Sequence, residues 1–175
     1  MTAPPWSRVE RLGHEHDIMA FRCGRAEIDD WLQSKARANA HLISTYVCLD
    51  ATATVRAFFA VKYVVVSVEG YSSAMRRGSD RNGQSVAILL AFMGLEESLQ
   101  GSGFGRAVLR EALTVIEQVH QKIPVQLLVV DVLDEQLVGF YAKAGFKRVS
   151  PSERRLLMPM SAVVRFLESA RTKMK

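Results

Sequence analysis

An apolar run that passes through a glycine-rich turn into an amphipathic helix leaves a chain few folds to choose from. Residues 86–106, VAILLAFMGLEESLQGSGFGR, are such a stretch. The run Val86–Met93 is too continuous for a half-exposed strand and suits one buried on both faces. Gly94-Leu95-Glu96-Glu97 leads into Gln100-Gly101-Ser102-Gly103-Phe104-Gly105-Arg106, after which Val108, Leu109, Ala112, Leu113 and Ile116 fall on one helical face. Strand, glycine loop and helix together aim backbone N–H groups and a positive helix end at a phosphate.

Two well-known phosphate loops are excluded by spacing. A P-loop requires Lys-Ser/Thr after its last glycine, whereas Arg106-Ala107 follow Gly105. The dinucleotide pattern G-x-G-x-x-G fails because Gly101, Gly103 and Gly105 alternate and position 106 is arginine. The pattern that fits is Q-x-x-G-x-G at Gln100, Gly103 and Gly105, which resembles the pyrophosphate loop of the GNAT superfamily of acetyl-CoA-dependent N-acetyltransferases.

A length of 175 residues fits a single domain over 1–175 with a real core, and the 49% apolar content excludes wholesale disorder. No apolar run approaches a membrane span, and no basic-then-apolar leader opens the chain, so a cytoplasmic protein is expected. Cys23 and Cys48 are too few for a disulfide scaffold and read as small buried hydrophobes. The four histidines show no metal-ligand spacing, so no metal is expected. The net charge of +5 is uneven: residues 143–175 hold nine Lys/Arg against Glu153 and Glu168, a surplus of +7, which leaves −2 for the rest. A second basic cluster, Arg76, Arg77 and Arg81, is offset only by Asp80. Such local excess suits a polyanionic partner, and equally a solvated helix face with a frayed tail.

In chain order, residues 1–6 read as flexible and 8–12 as an edge strand. Gly24 turns into a helix carrying Ile28, Trp31 and Leu32, with Trp31 a core anchor and Glu27, Asp29 and Asp30 suiting its N-terminal dipole. Strands follow at 45–49 and 55–68. Gly70–Gly83 has no apolar period and reads as a mobile loop. After the central strand, loop and helix come a strand at 125–132, a helix capped by Asp134 and closed by Gly145, strands at 146–149 and 155–158, and a terminal helix from Ser161 with a basic tail to 175. The architecture expected is α/β: a mixed, mostly antiparallel sheet with helices on both faces, in which the strands flanking the 103–120 helix must be parallel.

Phe140-Tyr141-Ala142-Lys143-Ala144-Gly145-Phe146 gives F-Y-x-x-x-G-F, similar to the second GNAT signature. The segment Phe21-x-Cys23-Gly24-x-x-x-Ile28-Asp29-x-Trp31-Leu32 and the passage Leu156–Ser161 narrow the resemblance to the acetyltransferase toxins of bacterial toxin–antitoxin modules. The resemblance implies the GNAT fold, with the cofactor entering where a parallel strand pair splays. It also implies acetylation of the α-amino group of aminoacyl-tRNA, arrest of translation, a ribbon-helix-helix antitoxin and a homodimer. The chain departs from the family where Phe92 replaces a common arginine, Gly94 an alanine and Asp134 an asparagine.

For the site, the resemblance places acetyl-CoA against Met93, Gly94 and Leu95, with the backbone N–H near Met93 or Leu95 donating to the acetyl oxygen. Gln100, Gly101, Ser102, Gly103, Phe104, Gly105 and Arg106 would hold the pyrophosphate, with Asp134 touching the cofactor arm. Tyr141 is the expected catalytic acid, since a phenol with a reference pKa near ~10 is protonated at neutral pH. Glu96 is the best side-chain base, with a water chain as the alternative. Arg76, Arg77, Arg81, Lys143, Lys147, Arg148, Arg154 and Arg155 are candidates for tRNA phosphates. The competing readings are an acetyltransferase acting on a small amine or peptide amine, and a non-catalytic acyl-CoA- or nucleic-acid-binding module.

Overall fold

The computed structural model describes residues 2–173. In chain order the elements are β1 (Arg8–Arg11), α1 (Ala26–Ser34), β2 (Ser44–Leu49), β3 (Val55–Ser67), α2 (Ser73–Arg76), β4 (Gln84–Leu95), a 3-10 turn (Glu97–Leu99), α3 (Phe104–Lys122), β5 (Leu127–Asp131), α4 (Gln136–Lys143), β6 (Lys147–Arg148), β7 (Arg155–Pro159) and α5 (Met160–Thr172). The seven strands follow the order β1-β2-β3-β4-β5-β7-β6. The pair β4–β5, which flanks α3, is parallel with Ala87 opposite Leu127 and Leu90 opposite Val130, as the connection length requires. The β1–β2, β2–β3, β5–β7 and β6–β7 pairs are antiparallel. The chain divides into two compact units, Met1–Lys62 with Ala91–Ala112, and Tyr63–Leu90 with Leu113–Lys175.

The first unit has a core rich in aromatic rings. Ile28, Trp31 and Leu32, spaced along one face of α1, pack with Phe21, Val47, Leu49, Phe58 and Ala60. Trp31 stacks on Phe92 with ring centres 3.9 Å apart and lies nearly parallel to Phe58 at 6.2 Å. Phe92, where the resemblance leads one to expect arginine, therefore serves as packing. Phe21 meets Phe58 edge-on at 5.4 Å. A Cβ at Gly94 would lie 2.7 Å from the Phe58 ring, inside contact distance, so this column of rings requires glycine there. Asp29 lies in the first turn of α1 as expected, but it is buried and its carboxylate accepts the Cys23 N–H. The expectation of a loose N-terminal segment does not hold at Trp6: it is only 6% exposed, meets Phe104 edge-on at 6.3 Å and donates to Glu111.

The second unit has an aliphatic core, Val66, Val68, Ala87, Leu127, Val129 and Leu157, with Met75 packed against it. Met75 belongs to α2, a helical turn inside the stretch expected to be a loop. One buried apolar residue gives no period to detect, which is why the sequence hid it. Val86 opens the supposed doubly buried run yet is 47% exposed, whereas Ala87, Ile88 and Leu90 are buried. Buried Glu117 in α3 is held by Arg171 of α5 at 2.5 Å. On α5, Val163 and Leu167 are buried and Val164 is half-buried. The last two residues of the predicted basic tail lie outside the described residues.

Candidate active site

The glycine loop belongs to the first unit. Gly101 and Gly103 have φ of +78° and +83°, the left-handed region that favours glycine. A Cβ at either would meet nothing within 4 Å, so backbone conformation, rather than crowding, selects glycine here. Glycines that alternate in this way turn successive N–H groups toward one side as a nest for anions. The loop runs straight into α3, whose first turn holds no acidic residue and carries the exposed Arg106. Ser102 is exposed, Phe104 is tied to Trp6, and Gly105 is already helical. A positive helix end, two left-handed glycines and an open cradle fit a pyrophosphate.

Met93, Gly94 and Leu95 form the end of β4, beyond the last parallel pair at Leu90. The Leu95 carbonyl accepts the Gln100 side-chain amide at 2.9 Å, and the same nitrogen donates to the Cys23 carbonyl at 2.7 Å. Glu96 is engaged: its carboxylate meets Arg56 at 2.6 Å, and Arg56 also binds Asp50 at 2.8 Å. Hydrogen bonds from the Thr52 hydroxyl and the Thr54 N–H, together with Arg56, hold the Asp50 carboxyl below its ordinary range. An ion-paired Glu96 is a poor choice of base. Sequence reasoning missed Arg56, forty residues from its partner, and also the bond from Cys23 N–H to the Asp29 carboxylate at 2.9 Å.

Tyr141, Asp134 and all eight basic candidates belong to the second unit. Tyr141 lies on α4, 6% exposed, between edge-on contacts from Phe140 at 5.0 Å and Phe146 at 5.5 Å. Its carbonyl accepts N–H bonds from Ala144 and Phe146, which closes α4 and accounts for the spacing of F-Y-x-x-x-G-F. Burial raises the Tyr141 hydroxyl above its ordinary pKa, so it stays protonated throughout the neutral range. An Asp134 carboxylate oxygen accepts the Leu137 N–H at 3.3 Å, the capping bond that the sequence predicts.

The basic candidates divide. Arg148 forks onto Glu135 with both bonds at 2.6 Å, and Arg155 onto Asp131 with both at 2.7 Å. Arg154 donates to the Leu133 carbonyl. Arg76, Arg77, Arg81, Lys143 and Lys147 are exposed and form no ion pair among the described residues.

One trio among the described residues, Glu10, Glu15 and His16, could gather three metal-ligand atoms within 4.8 Å. The His16 Nδ1 accepts the Gly13 N–H at 2.9 Å, which leaves the proton of a neutral ring on Nε2, facing Glu10 at 3.1 Å. A protonated Nε2 has no lone pair for a metal, so the trio is a hydrogen-bonded cluster.

No protein-family model matches the chain. It is 24% identical over 160 residues to a probable toxin TacT of Sinorhizobium fredii, covering 86% of this chain and 88% of the relative. It is 26% identical over 156 residues to a tRNA-acetylating toxin of Mycobacterium tuberculosis, covering 87% and 91%. Among solved structures, a point mutant of KacT superposes with a TM-score of 0.81 at 16% identity, covering 90% of this chain and 97% of KacT. AtaT complexed with acetyl-methionyl-tRNAfMet gives 0.80 at 19% identity with the same coverage. AtaTR bound with AcCoA gives 0.77 at 19% identity, covering 90% and 96%, and a mutant AtaT bound to the C-terminus of the antitoxin AtaR gives 0.74 at 19%, with the same coverage. The chain has the fold of these GNAT-like acetyltransferase toxins and resembles them along nearly nine-tenths of its length.

Proposed function

We propose that the protein is an acetyl-CoA-dependent N-acetyltransferase that modifies the α-amino group of aminoacyl-tRNA and so blocks translation. The carrying observation is the glycine loop, Gly101 and Gly103 left-handed at the acid-free start of α3, in a fold shared with toxins solved with AcCoA and with acetylated tRNA. When bound, acetyl-CoA supplies the acetyl group as a thioester. Backbone N–H groups of residues 101–105 and the Arg106 guanidinium hold the pyrophosphate. A backbone N–H at Met93 or Leu95 donates to the acetyl carbonyl oxygen as charge builds there. Tyr141 keeps its proton on Oη and donates it to the departing sulfur; a pKa raised by burial guarantees that the proton is present.

The acceptor needs no strong base if it is an α-amine. Its pKa near ~8 leaves a usable neutral fraction at pH 7, unlike a lysine near ~10.4. Because Glu96 is held by Arg56, water carries the amine proton away in this reading. Asp134 orients the cofactor arm, and the protein works in the cytoplasm as a homodimer held in check by a ribbon-helix-helix antitoxin. A second reading, an acetyltransferase for a small amine or peptide amine, draws on the engagement of Arg148, Arg154 and Arg155, which shrinks the surface available to tRNA.

The deciding assay offers labelled acetyl-CoA with a mixed pool of charged tRNA, and separately with free amino acids and polyamines. Salt-sensitive transfer to tRNA supports the first reading, and label on a polyamine or peptide amine alone supports the second. Tyr141→Phe keeps the ring and its packing, so acetyl-CoA affinity persists while turnover falls roughly 10²–10⁴-fold. Turnover within twofold of wild type would make Tyr141 a packing residue.

A further inference from the structure

We propose that Gln100 is a positioning residue for the glycine loop and not a ligand of the cofactor. It is the middle link of a brace that runs from Asp29 through Cys23 to the end of β4. The proposal rests on the reading above that the loop takes a pyrophosphate.

The donor inventory excludes direct binding. A glutamine amide offers two N–H hydrogens from one nitrogen. Gln100 Nε2 donates to the Cys23 carbonyl at 2.7 Å and to the Leu95 carbonyl at 2.9 Å. Both partners are carbonyl oxygens, so the nitrogen end of the amide must face them. What remains is Oε1, an acceptor, which repels phosphate oxygens. The loop is left to bind anions through its backbone, and the side chain is left to hold that backbone in place.

The brace continues on both sides. The Cys23 N–H donates to the carboxylate of Asp29 at 2.9 Å, and Asp29 is only 6% exposed. A buried carboxylate that accepts a backbone N–H fixes the 21–24 segment firmly, since losing the bond would strand a charge. The Glu97 N–H donates to the Arg22 carbonyl at 2.9 Å, a second tie between the same two segments. Residues 22–23 are thereby a rail to which the turn between β4 and Gly101 is fastened. Leu95, whose carbonyl receives the other Gln100 hydrogen, carries a candidate N–H for the acetyl oxygen, so one side chain sets both ends of the cofactor cradle. The brace also gives a physical meaning to the toxin-like Phe21–Leu32 signature: Cys23 offers backbone, and Asp29 holds it.

The test compares wild type with Gln100→Met, which keeps length and removes both donors, and Gln100→Lys, which restores donors without an acceptor. Gln100 is exposed, so both variants are expected to fold. Two readouts are taken: acetyl-CoA affinity by calorimetry, and amide hydrogen exchange over residues 95–105 without any ligand. Gln100→Met is expected to speed exchange in the loop and to weaken acetyl-CoA about tenfold, the scale of two net hydrogen bonds, with Tm nearly unchanged. Gln100→Lys is expected to restore slow exchange. In a double-mutant cycle, Asp29→Asn and Gln100→Met should act on the loop less than additively, as links of one chain do. Unchanged exchange in Gln100→Met, affinity within twofold of wild type, or full additivity with Asp29→Asn would each overturn the brace. If wild type itself fails to bind acetyl-CoA, the functional reading falls, and the exchange data alone decide for or against the brace.

Discussion

Two basic regions of the second unit look alike in sequence and differ in the folded chain. Arg76, Arg77 and Arg81 are exposed on α2 and the turn after it, with no ion-pair partner among the described residues. Arg148, Arg154 and Arg155 have comparable charge density, but Glu135, the Leu133 carbonyl and Asp131 occupy their guanidinium groups. A phosphate binding to the first cluster displaces only water and counterions. Binding to the second must also compete with a fixed carboxylate. Charge counted along a chain therefore overstates the charge that a polyanion meets, and the two clusters should contribute unequally to the proposed tRNA binding.

The largest expected effect comes from reversing the unpaired cluster. Replacing Arg76, Arg77 and Arg81 by Glu should weaken charged-tRNA binding on the order of tenfold to a hundredfold and flatten its salt dependence by roughly 2–3 in log–log slope. Filter binding across a salt series measures both, and calorimetry should find acetyl-CoA affinity unchanged. A slope equal to wild type would place the tRNA elsewhere.

A smaller effect of opposite sign is expected from Asp131→Asn, which removes the carboxylate from Arg155 and leaves the guanidinium available. The same salt series should then steepen by roughly one phosphate equivalent, or about 0.7–0.9 in slope. No steepening would mean that Arg155 lies off the path of the nucleic acid.

The smallest effect is expected at Arg148. Its bonds hold Glu135 below the ordinary carboxylate range. A depressed folded-state pKa means that the ion pair is present above the unfolded carboxylate pKa and is lost only as pH falls through the lowered value. Arg148 should therefore stay neutralised on acidification from pH 7 to pH 5, and Arg148→Ala should give the same tRNA salt slope as wild type at both values. A slope that differs between the two proteins at pH 7 would show Arg148 in contact with phosphate and erase the contrast between the clusters.

What could be read in advance follows from the range of each interaction. The inward face of α3 and the closure of α4 after Tyr141 are local patterns of three to five residues, and the parallel pair beside α3, though its partners lie forty positions apart, follows from the length of the helical connection; all are found as expected. The ion pairs that divide the basic clusters join residues 13 and 24 positions apart, and the bond from Gln100 to Cys23 spans 77. No periodicity encodes such partnerships. The same limit explains Glu96, an exposed strand end in sequence but the partner of Arg56 in the fold, and Gly94, whose missing side chain makes sense only once Phe58 is seen against it.

The two cysteines have a consequence for the reaction product. In the proposed reaction, transfer of the acetyl group releases coenzyme A as a thiol beside a protein that carries two thiols of its own. Cys23 and Cys48 are both buried, and desolvation pushes Cys23 up to about 11 and Cys48 higher still. The thiolate is the species that exchanges with disulfides, and neither residue supplies it at neutral pH. Under oxidative stress, when coenzyme A accumulates as its disulfide, the protein should stay unmodified, without the mixed disulfides that would tether spent cofactor to its own surface.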